Sequence, residues 1–473
     1  MEKKDKTEQE KRKDEILLSR RDGHDVVSDE ELEACRIFNE EYKSFLDQCK
    51  TERESVSYMV SRAKENGFRQ FSRGMKLVPG DRVFRVNRAK AVVFAVIGDR
   101  PLSSGSNIAA AHIDTPRIDL KTNPLYEDSG MAYFKTHYYG GIKKYQWLAL
   151  PLELRGVVAL RDGRVVEISV GADRDDPVFC ITDLLPHLAG DQMKKNLSEA
   201  VSAEAMNLLI GTRPFKGSDG ADRIKLNVMD ILNSKYGIVE EDLASAELSL
   251  VPAHCARDVG FDRSLVGAYG HDDRACAFGA FRAALDAGNP GITAVSMLAD
   301  KEETGSEGVT GMQSAFFDTF MEDLCESQGE SLRECYEGSF CISADVAAAF
   351  DPNYPEPYDR RNSPKINYGV GVCKYTGSRG KSGASDASAE LVARLRRVFD
   401  GAGVLWQMAP LGKVDGGGGG TVAMFMAKRN IDTIDAGVPV LSMHSPFEII
   451  SKLDNYMSYK GILAVFRDGG VKG

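Results

Sequence analysis

The sequence predicts an α/β protein, a mixed-sheet α/β sandwich that is interrupted by a β-rich insert. After residue 254, short apolar strands alternate with helices, a pattern typical of a sheet covered by helices. Between residues 115 and 252 the pattern changes to short alternating stretches, which predict antiparallel strands. Strands of the buried type also precede the insert. The α/β unit is therefore expected to contain both ends of the chain.

The N-terminal region predicts charged helix followed by the first strands. About 65 residues are rich in charge, and apolar residues at helical spacing predict an amphipathic helix over residues 47–64. Apolar runs then predict strands at 83–86, 91–97 and 107–111. The run at 91–97 ends in Gly-Asp, so it is typical of a buried strand closed by a turn.

The insert contains a clear hairpin signal. Two alternating stretches at 156–160 and 165–170 flank the turn-forming residues 161–164, which predicts two antiparallel neighbours. Residues 183–196 are polar and predict a loop or short helix.

The last part of the chain alternates between helices and strands. Helices are predicted at 273–287, 312–321, 385–399 and 455–466, and strands at 293–299, 340–343 and 438–441. The predicted organisation is one α/β domain made of residues 1–113 and 255–473, with the insert formed by 114–254.

Composition disfavours several classes of protein. The 60 basic and 70 acidic residues give a net charge of −10, whereas nucleic-acid binders usually carry a basic surplus. The longest apolar run, 91–97, is far shorter than the ~18 residues that a membrane span needs. Residues 1–21 are charged and do not resemble a signal peptide. Nine cysteines without Cys-x-x-Cys spacing favour a reducing compartment, so the predicted location is the cytoplasm.

Five predicted strand ends carry carboxylates or imidazoles. Taken singly, each such residue has an ordinary explanation as a cap or a satisfied polar group. As a set they would repel one another at one sheet edge unless a cation held them, and imidazoles with carboxylates suit zinc, manganese or cobalt. The residues in question are His112, Asp114, Asp272, Glu302, Glu303, Asp345 and His444.

The same segments resemble a known family. The chain from about residue 80 onward is similar to the aspartyl aminopeptidase and aminopeptidase I family of co-catalytic zinc metallo-aminopeptidases, most of all to its bacterial aminopeptidase I branch. The insert separates His112 from Asp272 by 160 residues, against 99 between Asp345 and His444, which matches the aminopeptidase layout rather than that of related carboxypeptidases and deacylases. The motifs that carry the resemblance are Ala-His-Ile-Asp-Thr-Pro at 111–116, Thr-His-Tyr-Tyr-Gly-Gly at 136–141, Gly-His-Asp-Asp-Arg at 270–274, Lys-Tyr-Thr-Gly-Ser-Arg-Gly-Lys at 374–381 and Ser-Met-His-Ser at 442–445.

The resemblance implies two divalent metal ions per chain, zinc first and manganese or cobalt as alternatives. It implies that Asp272 bridges the two ions. His112 and Asp345 would complete one site, and Glu303 and His444 the other.

Two carboxylates next to these ligands receive other roles. Asp114 would accept a hydrogen bond from the free ring nitrogen of His112 and fix its tautomer; a turn cap is the alternative. Glu302 would be the general base that takes a proton from the attacking water; a loop cap is the alternative.

The resemblance also implies an assembly. The family forms dodecamers built from dimers, and the β-rich insert would be the dimerisation domain. His187 in the insert would reach a neighbouring subunit's active site and stabilise the oxyanion. An ordinary surface histidine is the equal alternative.

Rival motifs lack required residues. Gly380-Lys381-Ser382 imitates the end of a phosphate loop, but that motif needs glycine where Tyr375 stands. The glycine run 416–420 favours close approach of backbone to a substrate.

The leading hypothesis is removal of the N-terminal residue from peptides. An amidohydrolase or deacylase on the same metal site, or a non-catalytic assembly protein, are the alternatives. Three loop cations could pair with an acidic substrate residue or merely lie in a loop: Lys374, Arg379 and Lys381.

Overall fold

The computed structural model describes residues 7–18, 20–377, 379–410, 412–416 and 418–469. Within these ranges, no helix combines the length and the apolar character that crossing a membrane requires. Residues 1–6 of the charged N-terminal region, Ser378 of the 374–381 motif and Gly417 of the glycine run lie outside the described residues.

The strand Ala91–Val96 is buried along its whole length because its two faces contact different cores. Val92 and Phe94 belong to one apolar core, whereas Val93 and Ala95 belong to the other. Side chains alternate across a strand, so each core receives every second residue. Helices close both cores, which confirms the predicted α/β sandwich.

The central sheet has nine strands and is mixed. Its strands, in spatial order, are Arg69–Gln70, Arg82–Asn87, Ala91–Val96, Thr293–Ala299, Ser106–His112, Phe340–Ser343, Asp432–Gly437, Val370–Cys373 and Trp406–Met408. Four consecutive strands, from Thr293–Ala299 to Asp432–Gly437, run parallel to one another. The predicted strands of the α/β unit before residue 400 lie in this sheet.

A second, seven-stranded sheet forms the insert, and all its pairings are antiparallel. The predicted hairpin is present as Leu152–Ala159 and Val165–Val170. The sheet's strands, in order, are Val165–Val170, Leu152–Ala159, Ala246–Pro252, Arg117–Asp128, Met131–Tyr139, Leu208–Gly211 and Cys180–Ile181. The boundaries 114–254 stay a prediction, although this sheet lies inside them.

The α/β unit contains a further sheet that the sequence did not separate from the central one. It has five strands, in the order Arg257–Val259, Leu265–Ala268, Glu448–Ser451, Pro439–Leu441 and Ala347–Ala348. The strand predicted at 438–441 belongs here. Short strands of this kind show their apolar pattern, but the pattern does not identify their pairing partners.

Six of the eleven α-helices of the described residues begin after a residue whose side chain accepts a backbone N–H of the first turn. The predicted helix 47–64 is wrong at its start, since the helix Asp29–Gln48 ends there and a new helix begins at Glu52. Thr51 and Glu54 form a capping box there, which satisfies the first free N–H groups. The helices predicted at 312 and 385 begin at Phe316 and Ala389 instead. The α-helices are Glu8–Ile16, Asp29–Gln48, Glu52–Glu65, Leu197–Ala200, Arg223–Tyr236, His271–Asp286, Phe316–Gln328, Leu332–Gly338, Ala389–Gly401, Ala423–Ala427 and Lys452–Arg467.

A buried ion pair joins the insert to the α/β unit. Lys50 Nζ lies 2.6 Å from Glu153 Oε1, and the two side chains are 6% and 1% exposed. The ammonium also donates to the carbonyl of Pro252 at 2.7 Å. Because a buried charge is costly without a partner, this contact favours one orientation of the insert.

Candidate metal centre

Three of the predicted ligand segments meet because their strands are neighbours in the central sheet. The strand that ends in His112 lies between the two parallel strands that precede Glu302–Glu303 and Asp345. Parallel strands end at the same sheet edge, where ligand sites form in open α/β sheets. The central sheet therefore delivers an imidazole and three carboxylates to one place.

Asp272 and His444 come from the five-stranded sheet instead. Each follows a strand that pairs with Glu448–Ser451. The Glu448 carboxylate accepts the backbone N–H of His444 at 2.6 Å and that of Asp272 at 3.0 Å. Burial raises the pKa of Glu448 to about 8. Sequence reasoning missed Glu448, because a single glutamate before an apolar strand carries no diagnostic spacing.

Asp272 lies between the two histidines. Its Oδ1 is 3.2 Å from Nε2 of His112, and its Oδ2 is 3.1 Å from Nε2 of His444. Asp345 Oδ1 lies 3.8 Å from the His112 nitrogen, and Glu303 Oε2 lies 3.5 Å from the His444 nitrogen. The five predicted ligands are thus brought together in two groups that share the carboxylate of Asp272. The first group contains His112 and Asp345, and the second contains Glu303 and His444.

Glu302 lies beside the first group. Its Oε2 is 3.9 Å from Nε2 of His112, and its side chain is 17% exposed. Burial is the main cause that raises the pKa of Glu302 to about 8, and the carboxylates of Asp345 and Asp272 add to it. A cation bound by its neighbours would oppose this rise and favour the carboxylate form.

Asp114 lies behind His112 and accepts four hydrogen bonds. Its Oδ1 is 3.2 Å from Nδ1 of His112 and accepts the backbone N–H of Glu302 at 3.1 Å. Its Oδ2 accepts the backbone N–H of Glu303 at 3.2 Å and the hydroxyl of Tyr139 at 2.6 Å. Burial is the largest influence and alone would raise the pKa of Asp114, but the hydrogen bonds with His112 and Tyr139 and the charges of His112 and Arg117 together hold that pKa below its usual range.

The residues present fit a pair of divalent ions. Nδ1 of His112 faces only oxygens of Asp114, and Nδ1 of His444 donates to the carbonyl of Gly141 at 2.9 Å. Each imidazole therefore leaves the lone pair of its Nε2 for a ligand bond. Oε1 of Glu303 is buried and accepts no hydrogen bond from the residues that the structure describes. Such a donor set of imidazole nitrogens and carboxylate oxygens suits zinc.

Asp273 also contributes to the centre, although the sequence analysis gave it no role. Its carboxylate can be grouped with His112 and Asp345 within 4.8 Å. Burial raises its pKa well above the usual range. Its only sequence signal was its place in the Gly-His-Asp-Asp-Arg motif.

A cavity of about 310 Å³ opens at the centre. Glu302 and Gly418–Gly420 of the glycine run line it, together with four of the five predicted ligands: Asp272, Glu303, Asp345 and His444. The described residues that line it include no lysine or arginine. Its apolar side chains are Val346, Ala347, Ala348, Cys373, Ala409, Ala436 and Met443.

His187 lies away from this cavity. It is exposed in a turn between strand Cys180–Ile181 and helix Leu197–Ala200, and it is not among the residues that line the cavity. Leu185 and Leu188 on either side of it are 49% and 71% exposed. The structure therefore places His187 on an exposed, partly apolar surface of its own chain.

Two of the three predicted loop cations are already paired. Lys374 and Lys381 lie 2.9 and 3.0 Å from the carboxylate of Asp386. Arg379 lines a second cavity of about 460 Å³, which shares Thr376 with the cavity at the centre. These contacts favour the interpretation of Lys374 and Lys381 as loop cations.

The chain matches known proteins over nearly its full length. Residues 45–466 match the family model of the aminopeptidase I zinc metalloproteases (M18). A probable M18 family aminopeptidase 1 of Clostridium acetobutylicum is 46% identical over 458 residues, which cover 95% of this chain and 98% of the relative.

Solved structures show the same architecture. The M18 aminopeptidase of Thermotoga maritima superposes with a TM-score of 0.91 at 45% identity, over 95% of this chain and 99% of that one. Aminopeptidase I of Clostridium acetobutylicum gives 0.90 at 44% identity, over 96% and 100%. The S. cerevisiae mApe1 dodecamer, at 18% identity and a TM-score of 0.75 over 92% and 98% of the chains, shares the fold.

Proposed function

The chain belongs to the aminopeptidase I zinc metalloprotease family, M18, and is a metallo-aminopeptidase; from this premise we propose a site with two metal ions and Glu302 as general base. The observation that carries the proposal is Asp272, whose two oxygens lie 3.2 and 3.1 Å from the two histidine nitrogens. His112 and Asp345 would hold one ion, and Glu303 and His444 the other. Zinc is the proposed metal, with manganese or cobalt as alternatives.

The residues around the ions would carry the proton transfers. Two divalent ions in such a site lower the pKa of water and stabilise negative charge on the carbonyl oxygen. Glu302 faces the cavity and is proposed to take the proton of the attacking water and give it to the leaving amine. Asp114 would hold His112 in the tautomer that leaves Nε2 free.

The proposed assembly is a homo-oligomer that completes the site. The exposed turn at His187, with apolar neighbours Leu185 and Leu188, supports an interface in the insert. His187 would reach a neighbouring subunit's cavity and stabilise the oxyanion there. The S. cerevisiae mApe1, which shares the fold, is a dodecamer; a dodecamer built from dimers is proposed for this chain from the family resemblance. A cytoplasmic location stays a prediction.

The apolar lining of the cavity supports a preference for neutral N-terminal residues, since an acidic side chain would find no lysine or arginine among the described lining residues. We expect leucyl and alanyl chromogenic substrates to be cleaved at least ~10-fold more efficiently than aspartyl or glutamyl ones, as kcat/KM, because an unpaired buried charge is costly. N-acetylated leucyl substrate is the matched control and should resist cleavage. Preferred cleavage of the acetylated substrate would contradict the aminopeptidase mechanism and favour a deacylase.

Metal removal should abolish activity. Purified protein is expected to carry close to two divalent ions per chain by elemental analysis, and a strong chelator should remove both and with them all measurable turnover. Readdition of zinc after removal of the chelator is the control for irreversible unfolding. Full activity in chelator, with no transition metal detected, would contradict the proposal.

A further inference from the structure

A short part of the insert touches both metal groups. Residues 139–141, which end the strand Met131–Tyr139 and continue past it, contact Asp114 on one side and His444 on the other. They belong to the 136–141 motif, to which the sequence analysis assigned no role. This segment of the seven-stranded sheet therefore reaches the centre formed by the other two sheets.

Tyr139 contacts the first group through Asp114. Its hydroxyl donates to Oδ2 of Asp114 at 2.6 Å, the shortest of the four hydrogen bonds that this carboxylate accepts. Tyr139 is 9% exposed and Asp114 is 1% exposed, so water competes little for this bond. Because the other carboxylate oxygen contacts His112, the hydroxyl fixes the position from which Asp114 orients the imidazole.

Two cations adjoin the tyrosine ring. The guanidinium carbon of Arg117 lies 4.0 Å from the ring centroid, and Nζ of Lys301 lies 5.3 Å from it. Cations near an aromatic ring are attracted to its π electrons. Their positive charge draws electron density from the phenol, which makes the hydroxyl a stronger hydrogen-bond donor. Lys301 directly precedes Glu302 in the chain, so the ring also contacts the turn that carries the proposed base.

Gly141 contacts the second group directly. Its carbonyl accepts the hydrogen of Nδ1 of His444 at 2.9 Å. A Cβ at this position would lie 3.2 Å from that nitrogen and 3.6 Å from the adjacent ring carbon. Glycine is thus the residue that lets the backbone approach the imidazole at hydrogen-bonding distance without moving it.

We propose that the 139–141 segment is a positioning element that sets the metal affinity of both groups separately. Tyr139 would act through Asp114 chiefly on the ion held by His112, because Asp114 contacts that imidazole directly but contacts Glu303 only at its backbone N–H. Gly141 would act on the ion held by His444. The inference rests on the proposed two-metal site. Partners of this kind, one contact beyond the ligands, typically change metal affinity by ~10–100-fold.

Tyr139→Phe and Gly141→Ala separate the two effects. The first substitution keeps the ring and its contacts with Arg117 and Lys301 and removes only the hydroxyl. It should lower the affinity for the ion at His112 by ~10-fold. The second adds only a methyl group beside the imidazole of His444, at a φ that is not left-handed. It should lower the affinity for the ion at His444 by at least ~10-fold.

Competition with a chelator gives the affinities for zinc, and anomalous scattering from crystals equilibrated at limiting zinc shows which ion is depleted. Tyr138→Phe is the matched tyrosine control, since Tyr138 is 41% exposed. Gly401→Ala is the matched glycine control, since nothing lies within 4 Å of its added Cβ. Both controls should keep wild-type zinc affinity.

The outcomes distinguish this inference from the proposed function. Wild-type protein that binds no pair of ions would overturn both. Wild-type protein that binds two ions, with Tyr139→Phe and Gly141→Ala unchanged in affinity, would overturn the inference alone. Equal loss of both ions in each variant, together with a lower Tm of the metal-free protein, would show a general structural role and would also overturn it.

Discussion

Glu302→Gln is expected to lower turnover by ~10²–10⁴-fold, the range that general acid–base catalysis contributes. The amide keeps the size of the side chain but cannot take a proton from water. Glu302 lies 3.9 Å from Nε2 of His112 at the edge of the first metal group. Both ions should therefore remain, and elemental analysis should still find close to two per chain. The measurement is kcat with a leucyl chromogenic substrate at neutral pH.

Two further glutamates provide the controls for this variant. Glu303→Gln should release one ion, because Oε2 of Glu303 lies 3.5 Å from Nε2 of His444. Glu307→Gln should keep both ions and near-wild-type turnover, since the Glu307 carboxylate accepts a hydrogen bond from exposed Gln313 and is not among the described residues that line the cavity. Near-wild-type turnover of Glu302→Gln would refute its role as the base.

His187→Ala should lower turnover by ~10²–10³-fold, as loss of an oxyanion donor does, although every proposed metal ligand lies in the same chain. The reason is the proposed donation of this imidazole to another subunit. A mixing experiment tests this. An inactive Glu302→Gln chain keeps His187, whereas a His187→Ala chain keeps Glu302. Co-assembled, the two chains should regain activity, because some sites then combine an intact Glu302 with a donated His187.

Three controls make the mixing experiment decisive. Native mass spectrometry must show mixed oligomers, and each variant alone must stay poor. His24→Ala, which removes another exposed imidazole, should keep full activity. Mixed oligomers without regained activity would show that His187 serves its own chain or has no catalytic role.

Four strands of the central sheet were predictable because each is buried on both faces: Ala91–Val96, Ser106–His112, Thr293–Ala299 and Phe340–Ser343. An apolar β-branched run such as Ala91–Val96 satisfies that requirement by composition alone. Helix starts were less predictable. One helix ends at Gln48 and Thr51 caps the next. An amphipathic pattern that continues through such a break does not reveal it.

The sequence alone determined the type of chemistry, since His112, Glu302, Glu303 and Asp345 each follow a recognisable strand of one parallel group. It could not determine that Asp272 and His444 arrive from a separate sheet. The strands before them are short, and their pairing depends on contacts across the whole chain.

Only the tertiary structure decided what surrounds the ligands. Glu448 acts on the backbone of two ligand residues, and Tyr139 and Gly141 arrive from the seven-stranded sheet. Residues of this kind make only one or two hydrogen bonds each, so they impose no spacing on the sequence. Ligand residues are constrained by their own chemistry and by the ends of strands, whereas their supporting partners are constrained by distance in space. That difference is why the chain alone suggested the proposed ligands and Asp114, which lies two residues from His112, but not Glu448, Tyr139 or Gly141.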